Sequence, residues 1–205
     1  MVIKTDDGPS DEDLLRRFNE GDADAFEVLV LRYQKPLLNF ILRSVGDRNT
    51  AEELLQETFL RVVTKSSDFQ GNSKVSTWLY TIARNLCIDT SRKMVLRRHR
   101  SLDAPLRSGD GEGATLLDRG ADSGPAADRS VIGHDLQEKI AAAVEELPDD
   151  QREVFLLREL ENLPFKEIAD IVGVPENTVK SRMRYALERL QRALAEYADY
   201  ARETR

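Results

Sequence analysis

Residues that carry covalent or metal chemistry are scarce in this sequence of 205 residues, which has one cysteine and two histidines. A single cysteine excludes an internal disulfide and any zinc site built from several cysteines. The histidines, His99 and His134, lie far apart, and no Gly-rich phosphate loop, GxSxG elbow or HExxH motif occurs. Since no set of residues predicts a nucleophile, a general base or a metal cage, we expect neither an enzyme nor a bound cofactor.

Long apolar runs and aromatic side chains are scarce too. No stretch is long and apolar enough to cross a bilayer, and the first residues, MVIKTDDGPS, lack the apolar run of a secretory signal. We therefore expect a cytoplasmic protein with no direct membrane insertion. Aromatic residues make up 6% of the chain and charged residues 33%. This balance favours long amphipathic helices over a large sheet, so we predict an all-α fold.

The net charge of −7 argues against nucleic-acid binding over the whole surface, but the basic residues are concentrated in two strips. Residues 84–100 contain six Lys or Arg and one acid, and residues 177–192 contain five Lys or Arg and one acid. Two basic strips in an acidic chain predict two separate nucleic-acid contacts with weak non-specific affinity.

Composition divides the chain into four parts. Residues 1–9 are polar and predicted to be disordered. Residues 10–98 and 134–200 show helical periodicity and are predicted to form two small helical domains. The intervening segment, 99–133, contains six Gly, two Pro and six acids without a sustained period, which is typical of a flexible linker.

Capping residues and a proline predict where helices begin and break. Ser10 precedes three acids and predicts one helix start, while Thr50 with Glu53 matches a capping box for a helix over 51–63. Pro36 interrupts an apolar stripe, which predicts a kink or a break at that point.

The stretch 163–194 is typical of a helix-turn-helix. A short helix over 165–172 is followed by Gly173, which suits a sharp turn, and by Pro175, which suits a helix start. The second helix has an apolar stripe that includes Leu187 and an opposite polar face. Such a helix fits the major groove, with its N-terminal side chains reaching base edges. The alternative is an amphipathic hairpin with a solvated basic face.

Two further surfaces allow more than one interpretation. The helix over 51–63 carries an acidic face, which is either a plain solvated surface or a partner contact. Trp78 is either a core residue or a base-stacking platform. Arg84 and Asn85, beside the polar loop over 66–74 and ahead of a basic run, are the better candidates for a nucleic-acid contact.

Three motifs in this order resemble the extracytoplasmic-function (ECF, group IV) sigma factors of the sigma-70 family, which serve bacterial RNA polymerase. Residues 47–63 are similar to region 2.2 and read DRNTAEELLQETFLRVV. Residues 69–93 are similar to regions 2.3 and 2.4 and read FQGNSKVSTWLYTIARNLCIDTSRK. Residues 147–190 are similar to region 4 and read LPDDQREVFLLRELENLPFKEIADIVGVPENTVKSRMRYALERL. The resemblance implies a region 2 helical bundle and a region 4 helix-turn-helix joined by a flexible linker.

The resemblance also implies roles for three sets of residues. The contact with the β′ coiled coil of core polymerase is implied for Asp47, Glu52, Glu53, Gln56, Glu57, Phe59 and Leu60. The contact with the −10 element, including a base flipped from the non-template strand, is implied for Phe69, Gly71, Asn72, Ser73, Lys74, Trp78, Arg84, Asn85, Arg92 and Lys93. The contact with the −35 element is implied for Asn177, Thr178, Lys180, Ser181, Arg182, Arg184 and Tyr185.

By this resemblance the chain is an alternative sigma factor that binds core RNA polymerase and promoter DNA and helps melt the promoter. The apolar part of region 4 would dock on the β flap, and an anti-sigma factor, often anchored in the membrane, would hold the protein inactive. Two other interpretations remain open at this point. One is a stand-alone helix-turn-helix regulator with an N-terminal sensor or dimerisation module, and the other is a helical adaptor without a nucleic-acid role.

Overall fold

The computed structural model describes residues 8–102 and 139–195, with the backbone alone over 95–102. Every regular element in these ranges is helical, which confirms the predicted all-α fold. The predictions for residues 1–7, for most of the linker, for 134–138 and for 196–200 lie outside the described residues. The helices are α1 (Asp11–Asn19), α2 (Ala23–Val45), α3 (Arg48–Lys65), α4 (Val75–Leu102), α5 (described over 139–145), α6 (Asp149–Glu159), α7 (Phe165–Val172) and α8 (Glu176–Ala193), with a 3-10 turn at Ser66–Asp68.

Side-chain caps fix the starts of the first three helices. The Ser10 side chain accepts from the Asp13 amide and begins α1, as predicted. The predicted capping box at Thr50 is wrong, because α3 begins three residues earlier and its N-cap is Asp47, which accepts from the Thr50 amide at 2.7 Å. Gly46, at φ 76°, ends α2 in the left-handed region, and Asp47 follows in extended backbone, where its carboxylate reaches the next turn.

Pro36 does not break α2, because the helix runs without interruption from Ala23 to Val45. The proline removes one amide donor, but the turn that follows is held by packing. Leu37, Phe40 and Ile41 are at most 1% exposed, so their burial stabilises the helical path across the proline.

The N-terminal half of the described chain, residues 8–102, is a bundle of α1 to α4. One apolar cluster joins α1, α2, α3 and the start of α4 through Leu14, Leu15, Ala25, Leu29, Val62, Val75, Leu79, Ile82 and Leu86. The aromatic rings of Phe18 and Phe26 stack at 4.7 Å within it. These contacts fix the start of α4 and the loop before it against α1.

The C-terminal half, residues 139–195, contains the predicted helix-turn-helix. Gly173, at φ 74°, ends α7 and donates its amide to the Ala169 carbonyl at 2.8 Å, so the turn forms where the sequence predicts it. Val179, Met183, Ala186 and Leu190 bury one side of α8, whereas Leu187, predicted in the same stripe, is 47% exposed. The described helices that pack against α8 therefore bury a narrower face of it than its apolar pattern predicts.

The two halves pack against each other in this structure. A second apolar cluster runs from α2 and α4 into α6, α7 and α8, and it includes Leu37, Phe40, Tyr80, Ala83, Val154, Leu157 and Ile168. The rings of Phe40 and Tyr80 meet edge to face at 5.6 Å inside this cluster. The principal contact between the halves is that of α4 with α7. Four residues of α4 lie beyond the predicted domain end at 98, since the helix continues to Leu102.

Candidate nucleic-acid interface

The outward face of α8 gathers the residues that sequence reasoning assigned to duplex DNA. Thr178 and Arg182 are half-buried, and Arg182 is held by Asp150 of α6 at 3.1 Å. The other predicted residues are exposed side by side: Asn177, Lys180, Ser181, Arg184 and Tyr185. A short basic helix face of this kind matches the shape of the major groove.

Two exposed cations of α8, Lys180 and Arg184, are paired with carboxylates of their own helix. Lys180 lies 2.6 Å from Glu176, and Arg184 lies 3.9 Å from Glu188 while its guanidinium stacks over the Tyr185 ring at 4.8 Å. Exposed pairs at this spacing contribute only a few tenths of a kcal/mol, about 0.3–0.5 kcal/mol each. These cations therefore exchange a helix partner for a DNA phosphate at small cost.

The loop between the 3-10 turn and α4 holds the next predicted set. The Phe69 ring packs against Trp78 at 5.1 Å, and both side chains are half-buried, so Trp78 supports the loop from the core side. Gly71 adopts φ 70°, which favours glycine. Asn72, Ser73 and Lys74, together with Gly71, are exposed. The loop thus presents exposed polar side chains and is supported from below by the contact between the Phe69 and Trp78 rings.

Along α4, the predicted residues divide into exposed and covered positions. Asn85, Arg92 and Lys93 are exposed, as a nucleic-acid contact requires. Arg84 is not, because its guanidinium donates to both carboxylate oxygens of Glu153 in α6, and the two side chains are 19% and 17% exposed. Arg84 is thus held inside the packing between the halves.

Two more contacts repeat this pairing at the same interface. Lys74 lies 2.5 Å from a carboxylate oxygen of Glu167 in α7, and the hydrogen bond with Glu167 raises the pKa of the lysine. The Thr77 hydroxyl donates to the same glutamate at 3.4 Å. Lys74, which was predicted to contact the −10 element, is therefore paired with a carboxylate of the C-terminal half.

Sequence reasoning missed Tyr80, which is 2% exposed and donates its hydroxyl to Glu161. Burial raises the pKa of the Glu161 carboxyl above its usual range, and burial raises the pKa of the Tyr80 phenol as well. The helical spacing of Thr77, Tyr80 and Arg84 on one face of α4 is the signal that could have found this interface.

The acidic face of α3 is solvent-facing at its centre. Glu53 and Gln56 are exposed, and Leu60 is 59% exposed beside them. Glu52 pairs with Arg48 at 2.5 Å and Glu57 with Arg61 at 2.9 Å, both along the helix.

Two residues of the predicted polymerase-binding set, Asp47 and Phe59, also stabilise the fold. The Asp47 carboxylate caps α3, and its hydrogen bonds from Thr50 lower its pKa. Phe59 is half-buried and meets the Phe26 ring edge to face at 6.2 Å. With Val63 at 42% exposure next to Leu60, α3 offers an apolar strip bordered by carboxylates, a composition that fits a protein partner.

Among the described residues, no helix combines the length and the apolar character that a membrane crossing requires. The structure presents three candidate surfaces: the exposed face of α8, the loop over 69–74 with α4, and the exposed face of α3.

Comparison with known proteins shows the family to which the chain belongs. The family model for sigma-70 region 2 matches residues 29–98, and that for sigma-70 region 4 matches residues 137–190. The RNA polymerase sigma-H factor of Pseudomonas aeruginosa is 32% identical over 184 residues, which cover 90% of this chain and 93% of that protein. The ECF RNA polymerase sigma factor SigW of Bacillus subtilis is 33% identical over 180 residues, covering 88% and 94%.

A solved structure agrees with the sequence relatives. The sigma factor RpoE of Bartonella quintana, in complex with the anti-sigma factor NepR, superposes with a TM-score of 0.63 at 25% identity, covering 83% of this chain and 96% of that chain. The structure of CnrH in complex with the cytosolic domain of CnrY shares the fold, with a TM-score of 0.64 at 20% identity, covering 92% and 99%. The chain belongs to the sigma-70 family and, within it, to the ECF sigma factors of RNA polymerase.

Proposed function

We propose that this protein directs core RNA polymerase to promoters, reads their −35 and −10 elements and helps to melt the DNA. One observation carries the proposal. Each half of the chain presents its own polar or basic surface, α8 in one half and the loop before α4 in the other, in the order that the matched sigma-70 regions have. No catalytic group is needed, because melting by a sigma factor is a binding process.

The two surfaces suit two states of DNA. The exposed face of α8 fits duplex recognition through Lys180, Ser181 and Arg184 at the −35 element. The loop over 69–74 with Asn85 fits unpaired bases at the −10 element. Binding energy for each captured base offsets the cost of unstacking it, which is on the order of a few kcal/mol.

One chain carrying both surfaces also gains effective concentration. When the α8 face is bound, the −10 surface is confined to the same promoter, so two weak contacts add to a stable one. The net charge of −7 lowers non-specific attraction to DNA, which favours binding only where both elements are present.

Core polymerase would dock on the α3 face. The exposed Glu53, Gln56 and Leu60, supported by Phe59, supply carboxylates around an apolar centre, and we assign this face to the β′ coiled coil. The apolar part of the C-terminal half, including the exposed Leu187, is assigned to the β flap.

Regulation by a protein partner follows from the relatives. Because RpoE of Bartonella quintana is bound by an anti-sigma factor, we extend that partnership to this chain. The packing between its own halves adds a second restraint. Arg84 is paired with Glu153 and is covered by the packing between the halves, so the halves must separate before this cation meets promoter DNA.

A gel shift with and without core polymerase tests the function. A sigma factor binds promoter duplex weakly alone and strongly in the holoenzyme, whereas a stand-alone helix-turn-helix regulator binds tightly by itself, commonly as a dimer on a palindrome. Strong binding by the isolated chain that core polymerase does not improve would contradict the proposal.

A further inference from the structure

A cleft of about 450 Å³ lies between α1 and the loop that precedes α4. Glu12, Leu15 and Asn19 of α1 line one side, and Phe69 and Gly71 of the loop line the other. The matched part of sigma-70 region 2 begins at residue 29, so α1 lies outside the segment on which the assignment of the −10 surface rests.

Helix α1 holds both ends of this loop through side chains. The Asn19 amide donates to the Ser66 carbonyl at 3.0 Å, at the start of the 3-10 turn. The Glu12 carboxylate accepts from the Val75 amide at 3.1 Å, which makes it the cap of α4 from 63 residues away. The loop between Ser66 and Val75 therefore has fixed ends, and its shape depends on α1.

Helix α1 is itself held in place by polar contacts at its start and by its buried leucines. Asp11 accepts from Arg32 at 2.5 Å and from the Tyr33 hydroxyl, and Arg32 also donates to the Pro9 carbonyl at 3.0 Å. Leu14 and Leu15 are each 1% exposed. Because these contacts fix α1 against α2, the side chains of α1 hold the two ends of the loop in a fixed position relative to α2.

Together these contacts assign a role to α1 that rests on the proposed function. We infer that α1 is part of the −10 site: Glu12 and Asn19 position the loop from its two ends and so set the shape in which the loop meets an unpaired nucleobase. Glu12 and Asn19 are positioning residues.

The two hydrogen bonds from α1 to the loop ends require particular side chains at positions 12 and 19. The Val75 amide needs an acceptor, so glutamine at position 12 preserves the contact through its Oε1, while alanine removes it. The Ser66 carbonyl needs a donor, which Asn19→Ala removes. Each contact is a single hydrogen bond, and its loss corresponds to a change of roughly three- to ten-fold in an equilibrium.

The test measures base capture in the holoenzyme bound to promoter DNA that carries a fluorescent base analogue at each −10 position in turn. Glu12→Ala and Asn19→Ala should each weaken capture about three- to ten-fold and flatten the discrimination between bases at the captured position. Glu12→Gln should match the wild type. Glu27→Ala, which removes an exposed glutamate of α2, is the matched control and should also match it.

The outcomes separate the inference from the proposed function. If wild-type holoenzyme captures no base, the proposed function fails. If it captures a base and Glu12→Ala and Asn19→Ala capture it equally well, with unchanged base preference, the role of α1 is overturned. Affinity for core polymerase and the thermal midpoint are measured on every variant; a loss of capture that Glu12→Gln shares equally would show that charge, and not the cap, is responsible, and would also overturn the inference.

Discussion

Removing Glu153 should release the −10 surface in the free chain. Glu153 accepts two hydrogen bonds from Arg84, one of them at 3.3 Å, and both side chains are less than one fifth exposed. A hydrogen bond to a charged group contributes about 1.5–3 kcal/mol. At about 1.4 kcal/mol per factor of ten, Glu153→Ala should shift the balance from packed to separated halves by roughly 10- to 100-fold.

Affinity for a single-stranded −10 oligonucleotide is the appropriate assay for Glu153→Ala. When only the separated form binds, the apparent affinity scales with its population, so the gain is visible even if the packed form still dominates. Glu159→Ala is the matched control, because it removes an exposed carboxylate from the same helix. The reasoning is refuted if Glu153→Ala binds the oligonucleotide no more tightly than Glu159→Ala does.

Three further predictions address stability, pH and partner binding. Leu157→Ala should lower the free energy of unfolding by about 2–5 kcal/mol in urea titration, because Leu157 is 0% exposed in the cluster that joins the halves. Burial raises the pKa of Glu161 above its ordinary value of 4.5. The folded state therefore holds the extra proton, and the stability that Glu161 contributes falls as the pH rises through that raised pKa. Glu161→Gln should remove this part of the pH dependence, and an unchanged slope would count against it. Glu53→Lys should weaken binding to core polymerase about ten-fold or more in a competition assay without changing the thermal midpoint, because it reverses an exposed charge on α3.

Local sequence patterns predicted those parts of the fold that local physics decides. The helix over 165–172 was predicted at its observed bounds, because an amphipathic period and a glycine mark its face and its end. Ser10 was predicted as a cap because its hydroxyl precedes three acids that suit the start of a helix, and the structure confirms it. The α3 start was misplaced because Asp47 and Thr50 are both good caps. The left-handed Gly46 before Asp47 decides between them, and that is visible only in the backbone.

Contacts between segments that are distant along the chain could not be predicted from the sequence. Arg84 and Glu153 are 69 residues apart, and Tyr80 and Glu161 are 81 apart, so no local period links them. The same holds for Glu12 and Val75. Arg84 was predicted as a DNA contact from its charge and its neighbours, and the structure adds the carboxylate that covers it. The assignment of particular side chains to DNA and to polymerase stays a prediction.

Transcription from a promoter template with purified core polymerase tests the central claim most directly. With the wild-type chain, the account predicts transcripts that start at discrete sites on genomic templates. With Lys180→Ala combined with Arg184→Ala, it predicts their loss while binding to core polymerase persists, since both side chains lie on the exposed face of α8. Absence of specific transcripts with the wild-type chain on any genomic template, or full activity of the double variant, would contradict it.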